Sequence, residues 1–294
     1  MRIGVIGNQR YRALDRVLER LLRYAETHDV RLASEPDMLD HWPQPVPELS
    51  PGSDELDLLV AFGGDGTLLR AVRALGGREV PLLAINLGHI GFLTSTTAED
   101  LERSLDAFRA GQHRIERRFT LSGTIVAPSG TPERREHAVN DVVVHKTDAV
   151  RIIRLRVAVD GEPVGTYSAD GIIVSSPAGS TAYSLSAGGP VLLPDVDAMV
   201  VTAICPHTLR VRPIVIPGSS VVSIELGARG GDGAHVSFDG QLSDTLRRDQ
   251  RVVMRRGDFA VLLVRLGAEG FFTRMQRKLE WGDLSDRELA FRVD

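Results

Sequence analysis

Cysteine is nearly absent: Cys205 is the only one in 294 residues, which rules out an intrachain disulfide and a cysteine-based metal cluster and fits a reducing compartment. Lysine is almost as scarce. With Lys146 and Lys278 alone, no phosphate loop of the Gly-Lys-Ser/Thr type can be written. No apolar run approaches the roughly 20 residues that cross a bilayer. The start, Met1-Arg2-Ile3-Gly4-Val5-Ile6-Gly7, turns polar too soon for a signal peptide, so the chain is expected in the cytoplasm without a membrane partner. A net charge of −4 disfavours nucleic acid as a partner. The histidines show no metal-ligand spacing, and no residue is assigned as a metal ligand.

What is present is a globular composition, 43% hydrophobic and 25% charged, and a length that suits two domains. The apolar run 57–62 leads into Gly63-Gly64-Asp65-Gly66-Thr67 and then into 68–75, a stretch free of Gly and Pro. This order reads as strand, tight turn and helix. Glycines let backbone approach an anion, and the amides and dipole of a helix start attract phosphate oxygens. The glycine spacing is not that of the dinucleotide fingerprint. Asp65 would repel the phosphates that such a loop welcomes, so a compensating feature is required. Mg²⁺ between them is one solution, and a hydroxyl whose proton Asp65 accepts is another. An ordinary turn in which Asp65 caps the following helix is the plain alternative.

Read in order, residues 3–6 form a first strand, and Leu14, Val17, Leu18, Leu21, Leu22 and Ala25 make a helical stripe that faces a core. Residues 39–54, rich in proline around Trp42, read as a mobile loop with an exposed indole. Residues 80–86 form a further strand before a turn containing His89, and Thr97 caps a helix over 98–110. Strand, helix and strand in this order predict a Rossmann-like α/β domain with a parallel sheet. From residue 119 the texture becomes β-rich, with nine short runs and a hairpin signal at Asp160-Gly161. Stacked sheets or a sandwich follow. The expected division is an α/β domain over 1–118, joined by the C-terminal helix 269–294, and a β-rich domain over 119–268.

A second constellation lies at 170–190, where Ser180, Thr181, Tyr183, Ser184 and Ser186 crowd among glycines. Short donors and acceptors at this density suit a ligand rich in hydroxyls and amides, or equally a polar loop and helix cap. Asn140-Asp141 opens a strand in the same half. Its side chains fit ribose hydroxyls or an adenine edge, and an Asx turn is the plain alternative.

Taken together, Gly63-Gly64-Asp65-Gly66-Thr67, Asn140-Asp141, the stretch from Asp170 to Pro190, Cys205-Pro206-His207-Thr208-Leu209 and Asp239-Gly240-Gln241 resemble the NAD kinases. The resemblance runs through nearly the whole chain. It implies ATP or polyphosphate as donor, Mg²⁺ or another divalent cation, NAD as the acceptor phosphorylated on its adenosine ribose 2′-hydroxyl, and a homodimer or homotetramer. It makes Asp65 the proton acceptor with Gly66 beside it at NAD, and Gly63, Gly64, Thr67 and Arg70 belong to the same nucleotide-binding loop. Asn140, Asp141, Arg151, Ser168, Asp170, Ala178, Thr181, Ala182, Tyr183, Ser184, Leu185, Ser186 and Gln241 become NAD-binding residues. Of these, Arg151 and Gln241 rest on the resemblance alone. Many members have Asn-Glu where this chain has Asn140-Asp141, and Thr-Pro-Thr in place of Ser176-Pro177-Ala178. Some carry Arg where Ser168 stands, and the smaller serine predicts weak discrimination between NAD and NADH. A lipid or sugar kinase with the same loop, and a non-catalytic dinucleotide-binding regulator, are the competing readings.

Overall fold

The computed structural model describes residues 1–50, 52, 54–88, 91–94, 96–147, 152–227, 233–267 and 269–279. Two compact units emerge. The first comprises Met1–Ala74, Val80–Ile115 and the described residues from Leu263 on; the second comprises Leu75–Glu79 and Glu116–Leu262.

The first unit is built on parallel strands in the order β2-β1-β3-β4: β1 (Arg2–Gly7), β2 (Arg31–Ser34), β3 (Leu58–Phe62) and β4 (Pro81–Asn86). Their near-continuous burial explains why these runs lack the alternation of a half-exposed strand. Helix α1 (Leu14–His28) buries Leu14, Val17, Leu18, Leu21, Tyr24 and Ala25; Tyr24 joins the expected stripe, and Leu22 packs half-buried against the same core. Helix α2 (Asp65–Ala74) follows β3 directly. The short strand β5 (Thr96–Thr97) and a 3₁₀ turn, Ala98–Asp100, precede α3 (Leu101–Arg109). The helix therefore starts later than expected, and Thr97 supplies no side-chain cap.

Residues 39–54 correct the sequence reading. Trp42 is 7% exposed, its indole N–H donates to Ser34 Oγ at 2.8 Å, and Glu48 forms a β-bridge to Ser34. The expected exposed indole is thus buried, because it has both an apolar berth and a hydrogen-bond partner.

The second unit contains β6 (Arg114–Val126, from Glu116 on), β7 (Pro132–Ala138), β8 (Asp141–Lys146), β9 (Ile153–Val159), β10 (Glu162–Ala169), β11 (Gly171–Ser175), the short α4 (Tyr183–Ser186), β12 (Ala198–Ile204), β13 (Ile214–Pro217), β14 (Val222–Leu226), β15 (Gly233–Phe238), β16 (Leu242–Arg247) and most of β17 (Arg251–Arg265). One sheet runs β13-β12-β11-β8-β15-β16, and the other carries β10-β9-β14-β17 with β6 and β7. Every strand pair with a defined register in this unit is antiparallel. A shared core of Val142, Val144, Ile172 and Val174 from the first sheet and Leu155, Val157, Ile224 and Val252 from the second stacks them. The hairpin at Asp160-Gly161 forms with both residues at positive φ, 52° and 83°, as a two-residue turn demands. The strands β7, β13 and β16 escaped the sequence reading; β7 and β16 are too polar and exposed to show a β-pattern. The chain returns to the first unit through the end of β17 and α5 (Phe271–Leu279).

Candidate active site

In the first unit the turn between β3 and α2 delivers Asp65 as the opening residue of its helix. The carboxylate does not cap that helix. Instead its two oxygens accept the amides of Phe92 at 2.9 Å and Leu93 at 3.0 Å, while Lys278 Nζ from α5 lies 3.7 Å away. Gly91 is required here, since a β-carbon on it would collide with the Asp65 carboxylate. The turn is itself pinned by Arg265, 3% exposed, whose guanidinium donates to the carbonyls of Leu93 at 2.9 Å and Thr94 at 3.1 Å. A buried cation thus fixes the backbone that orients the acid.

Gly64, Gly66, Thr67 and Arg70 line a cavity of 530 Å³ together with Gly7, Asn8, Gln9, Arg10, Tyr11 and Asp37. Its cationic side chains and the start of α2 suit an anionic ligand. Arg70 is aimed by Glu35, which is 8% exposed; Glu35 Oε2 accepts from Arg70 Nη1 at 2.6 Å and Oε1 from the Gly7 amide at 2.7 Å. Burial pushes the Glu35 carboxyl above its ordinary range, opposed by the Gly7 amide and by Arg70.

In the second unit strand alternation builds the site. Val142 and Val144 enter the core, so Asp141, Val143 and His145 face the opposite way, into a cavity of 560 Å³ shared with Asn140, Lys146, Asp170, Ala182, Tyr183, Ile204, Ser237 and Asp239. Asp239, at φ 53°, accepts three successive amides: Val139 at 2.8 Å, Asn140 at 2.7 Å and Asp141 at 3.2 Å. This clamp sets the direction of Asn140 and Asp141. Burial, then the nearby Asp239 charge, pushes the Asp141 carboxyl up to about 7. Lys146 Nζ pairs with Asp170 at 2.7 Å.

The remaining expected residues fall in different places. Ser184 is wholly buried and shares a hydrogen bond with Thr202 at 3.0 Å, while Thr181 Oγ1 donates back to the Ala178 carbonyl. Leu185 and Ser186 lie on α4. Ser168 sits in β10, where its carbonyl accepts the His207 amide, and Gln241 closes the turn after β15, its amide donating to the Phe238 carbonyl. Neither lines the 560 Å³ cavity. Arg151 and His89 lie outside the described residues. Phe92, Leu93, Arg265, Lys278, Glu35 and Asp239 were missed as site residues; the Asp239-Gly240-Gln241 element and the scarcity of lysine were the available signals.

A glycine turn feeding a helix, an acid at its head and a separate pocket around the buried carboxylate of Asp141 suit a phosphotransferase of two units. Residues 3–113 match the ATP-NAD kinase N-terminal domain and residues 139–266 the ATP-NAD kinase C-terminal domain. The chain belongs to the NAD kinase family. It is 40% identical to an NAD kinase of Gemmatimonas aurantiaca over 98% of this chain and 99% of that one. Identity to an NAD kinase of Moorella thermoacetica is 39% over 96% and 90%. Among solved structures, an Archaeoglobus fulgidus NAD kinase in complex with ATP aligns with a TM-score of 0.74 at 26% identity, covering 94% of this chain and 99% of that chain. The yeast NADH kinase complexed with NADH has the same fold, with a TM-score of 0.89 at 23% identity, covering 98% and 89%.

Proposed function

We propose that Asp65 accepts the proton of the adenosine ribose 2′-hydroxyl of NAD as that oxygen bonds to the γ-phosphorus of ATP. The bond to the bridging oxygen breaks, ADP leaves with its electron pair, and NADP forms. The observation that carries this reading is the placement of Asp65: it heads α2 in the glycine loop, with both carboxylate oxygens fixed by the Phe92 and Leu93 amides. A hydroxyl is a poor nucleophile at neutral pH, and a fixed carboxylate is the general base that it needs.

The 530 Å³ cavity of the first unit takes the donor phosphates, with Gly63, Gly64, Gly66, Thr67 and Arg70 around them. NAD is held by Asn140, Asp141, Asp170, Ala182 and Tyr183, with Asp141 accepting from a ribose hydroxyl; Arg151, Ser168, Ala178, Thr181, Ser184, Leu185, Ser186 and Gln241 complete the proposed set. Among the described residues no group of three or more His, Cys, Asp or Glu side chains is arranged to hold a metal. The divalent cation of this reading arrives on the donor phosphates, which Mg²⁺ prefers to an all-protein cage.

We place the domain boundary at 118/119, with the C-terminal helix joined to the first domain. Among the described residues no helix is long and apolar enough to cross a membrane, and the reading is a cytoplasmic homodimer or homotetramer. Incubation of the purified chain with NAD, ATP and Mg²⁺, scored for NADP by a coupled dehydrogenase, tests the reaction. NAD is expected to be phosphorylated and its 2′-deoxyadenosine analogue left intact. Turnover of the analogue would contradict the assigned hydroxyl.

A further inference from the structure

The glycine loop carries an electrostatic problem, because Asp65 stands among groups that should welcome phosphate and there is no lysine within the loop to offset it. The fold answers with a lysine from the other end of the described chain. Lys278, one of only two lysines, projects from α5 so that its ammonium lies 3.7 Å from Asp65 Oδ2 and 5.4 Å from the centroid of the Phe92 ring. Helix α5 is anchored by buried Met275 and Arg274, by Arg274 donating to the Glu269 carbonyl at 2.9 Å, and by the Arg277–Glu269 ion pair at 3.0 Å.

Both distances matter. At 3.7 Å the ammonium attracts the carboxylate through space without the 2.7–2.9 Å contact of a charge-assisted hydrogen bond, so its donors are not consumed by Asp65. The ring face beneath it stabilises the cation while leaving it partly exposed, 35% for the side chain. A compact ammonium on a flexible stem is the group that pairs with a phosphoryl oxygen as a point charge.

We propose that Lys278 is the cation of the transfer step: it leaves Asp65 as that carboxylate gains the hydroxyl proton, and pairs with the oxygens of the phosphoryl group in flight. This rests on Asp65 being the proton acceptor. The ammonium keeps its own proton throughout, so the balance of the reaction is unchanged. A positive charge brought to where negative charge gathers is worth about 100-fold in rate.

The test uses the full chain with Lys278→Met, which keeps the stem and removes the charge, and Lys278→Arg, which keeps the charge. The expected result is a kcat about 100-fold lower in the methionine variant, with KM for NAD within about threefold of wild type and an unchanged Tm, and a kcat restored at least about tenfold in the arginine variant. A methionine variant with kcat within about threefold of wild type, or one whose loss lies only in KM for NAD, overturns the assignment. So does an arginine variant as slow as the methionine variant at wild-type Tm. Asp65→Asn, assayed alongside, separates the two ideas. If it is slow while Lys278→Met is fast, the lysine assignment alone fails; if it turns over like wild type, the proton-acceptor reading fails and takes this one with it.

Discussion

In the first unit the acid of interest, Asp65, is partly exposed and ringed by donors: two backbone amides at 2.9 and 3.0 Å and a lysine at 3.7 Å. In the second unit Asp141 is 5% exposed, and the neighbouring charge that acts on it is another carboxylate, Asp239. The first environment dictates where a carboxylate points. The second makes its charge costly, so that a ligand offering hydroxyl donors is rewarded for completing it. In the proposed mechanism these two acids do different work, proton acceptance at the glycine loop and acceptor recognition in the β-rich unit.

Substitution at Asp65 should break this contrast most severely. In Asp65→Asn the amide cannot take the hydroxyl proton, and kcat is expected to fall about 10²- to 10⁴-fold, or about 3–5 kcal/mol in the barrier. Steady-state kinetics with saturating NAD and ATP measures it. A kcat near wild type would return Asp65 to the status of a turn residue.

Asp239 sharpens the comparison from the other side. Asp239→Ala removes the acceptor of three amides and frees the backbone that aims Asn140 and Asp141. Leaving buried donors unpaired costs about 1–3 kcal/mol. The fold is expected to lose about that much stability, and KM for NAD should rise, with a smaller change in kcat, as Asn140 and Asp141 lose their fixed direction. A loss confined to kcat would place Asp239 in the chemistry instead.

How much of this was legible depended on sequence distance. The glycine loop, the α1 stripe and the Asp160-Gly161 hairpin each lie in a contiguous stretch, so local propensity and period revealed them. Asp239 reaches residues 98 to 100 positions away, and Arg265 and Lys278 reach Asp65 or its turn from the far end of the chain. No periodicity encodes such contacts. Strand β7, with its run of charged side chains, pairs among the described residues with β6 alone, at an edge where exposed polar residues are tolerated. The Ser184 hydroxyl shares a hydrogen bond with Thr202, 18 positions away, a partner that no local pattern reveals.

Asp141 supplies a pH-dependent signature. Its folded-state pKa of about 7 lies above the ordinary value of 3.8, so between these values the folded protein holds a proton that the unfolded chain has released. Its contribution to stability is full below about pH 4 and is lost as pH rises through about 7. Without NAD, Asp141→Asn should raise Tm at pH 8 and flatten the fall in stability between pH 4 and 7; thermal unfolding across that range would show it. A wild-type stability that does not depend on Asp141 over this window would contradict the buried-acid account.

The smallest expected effect concerns the acceptor's oxidation state. If Ser168 stands near the nicotinamide end, its small side chain leaves little to separate a flat ring from a puckered one. NADH should be phosphorylated within about tenfold of NAD, a barrier difference of no more than about 1.4 kcal/mol. Comparing kcat/KM for both acceptors measures it, and a gap of hundreds would show that another group closes the pocket.

The division of labour between the two acids is tested most directly by NAD titrations of Asp65→Asn and Asp141→Asn, followed by calorimetry at pH 8. A hydrogen bond to a charged acceptor is worth about 1.5–3 kcal/mol. The account predicts that Asp141→Asn binds NAD at least about tenfold more weakly than wild type while Asp65→Asn stays within about threefold. The opposite ranking would contradict it.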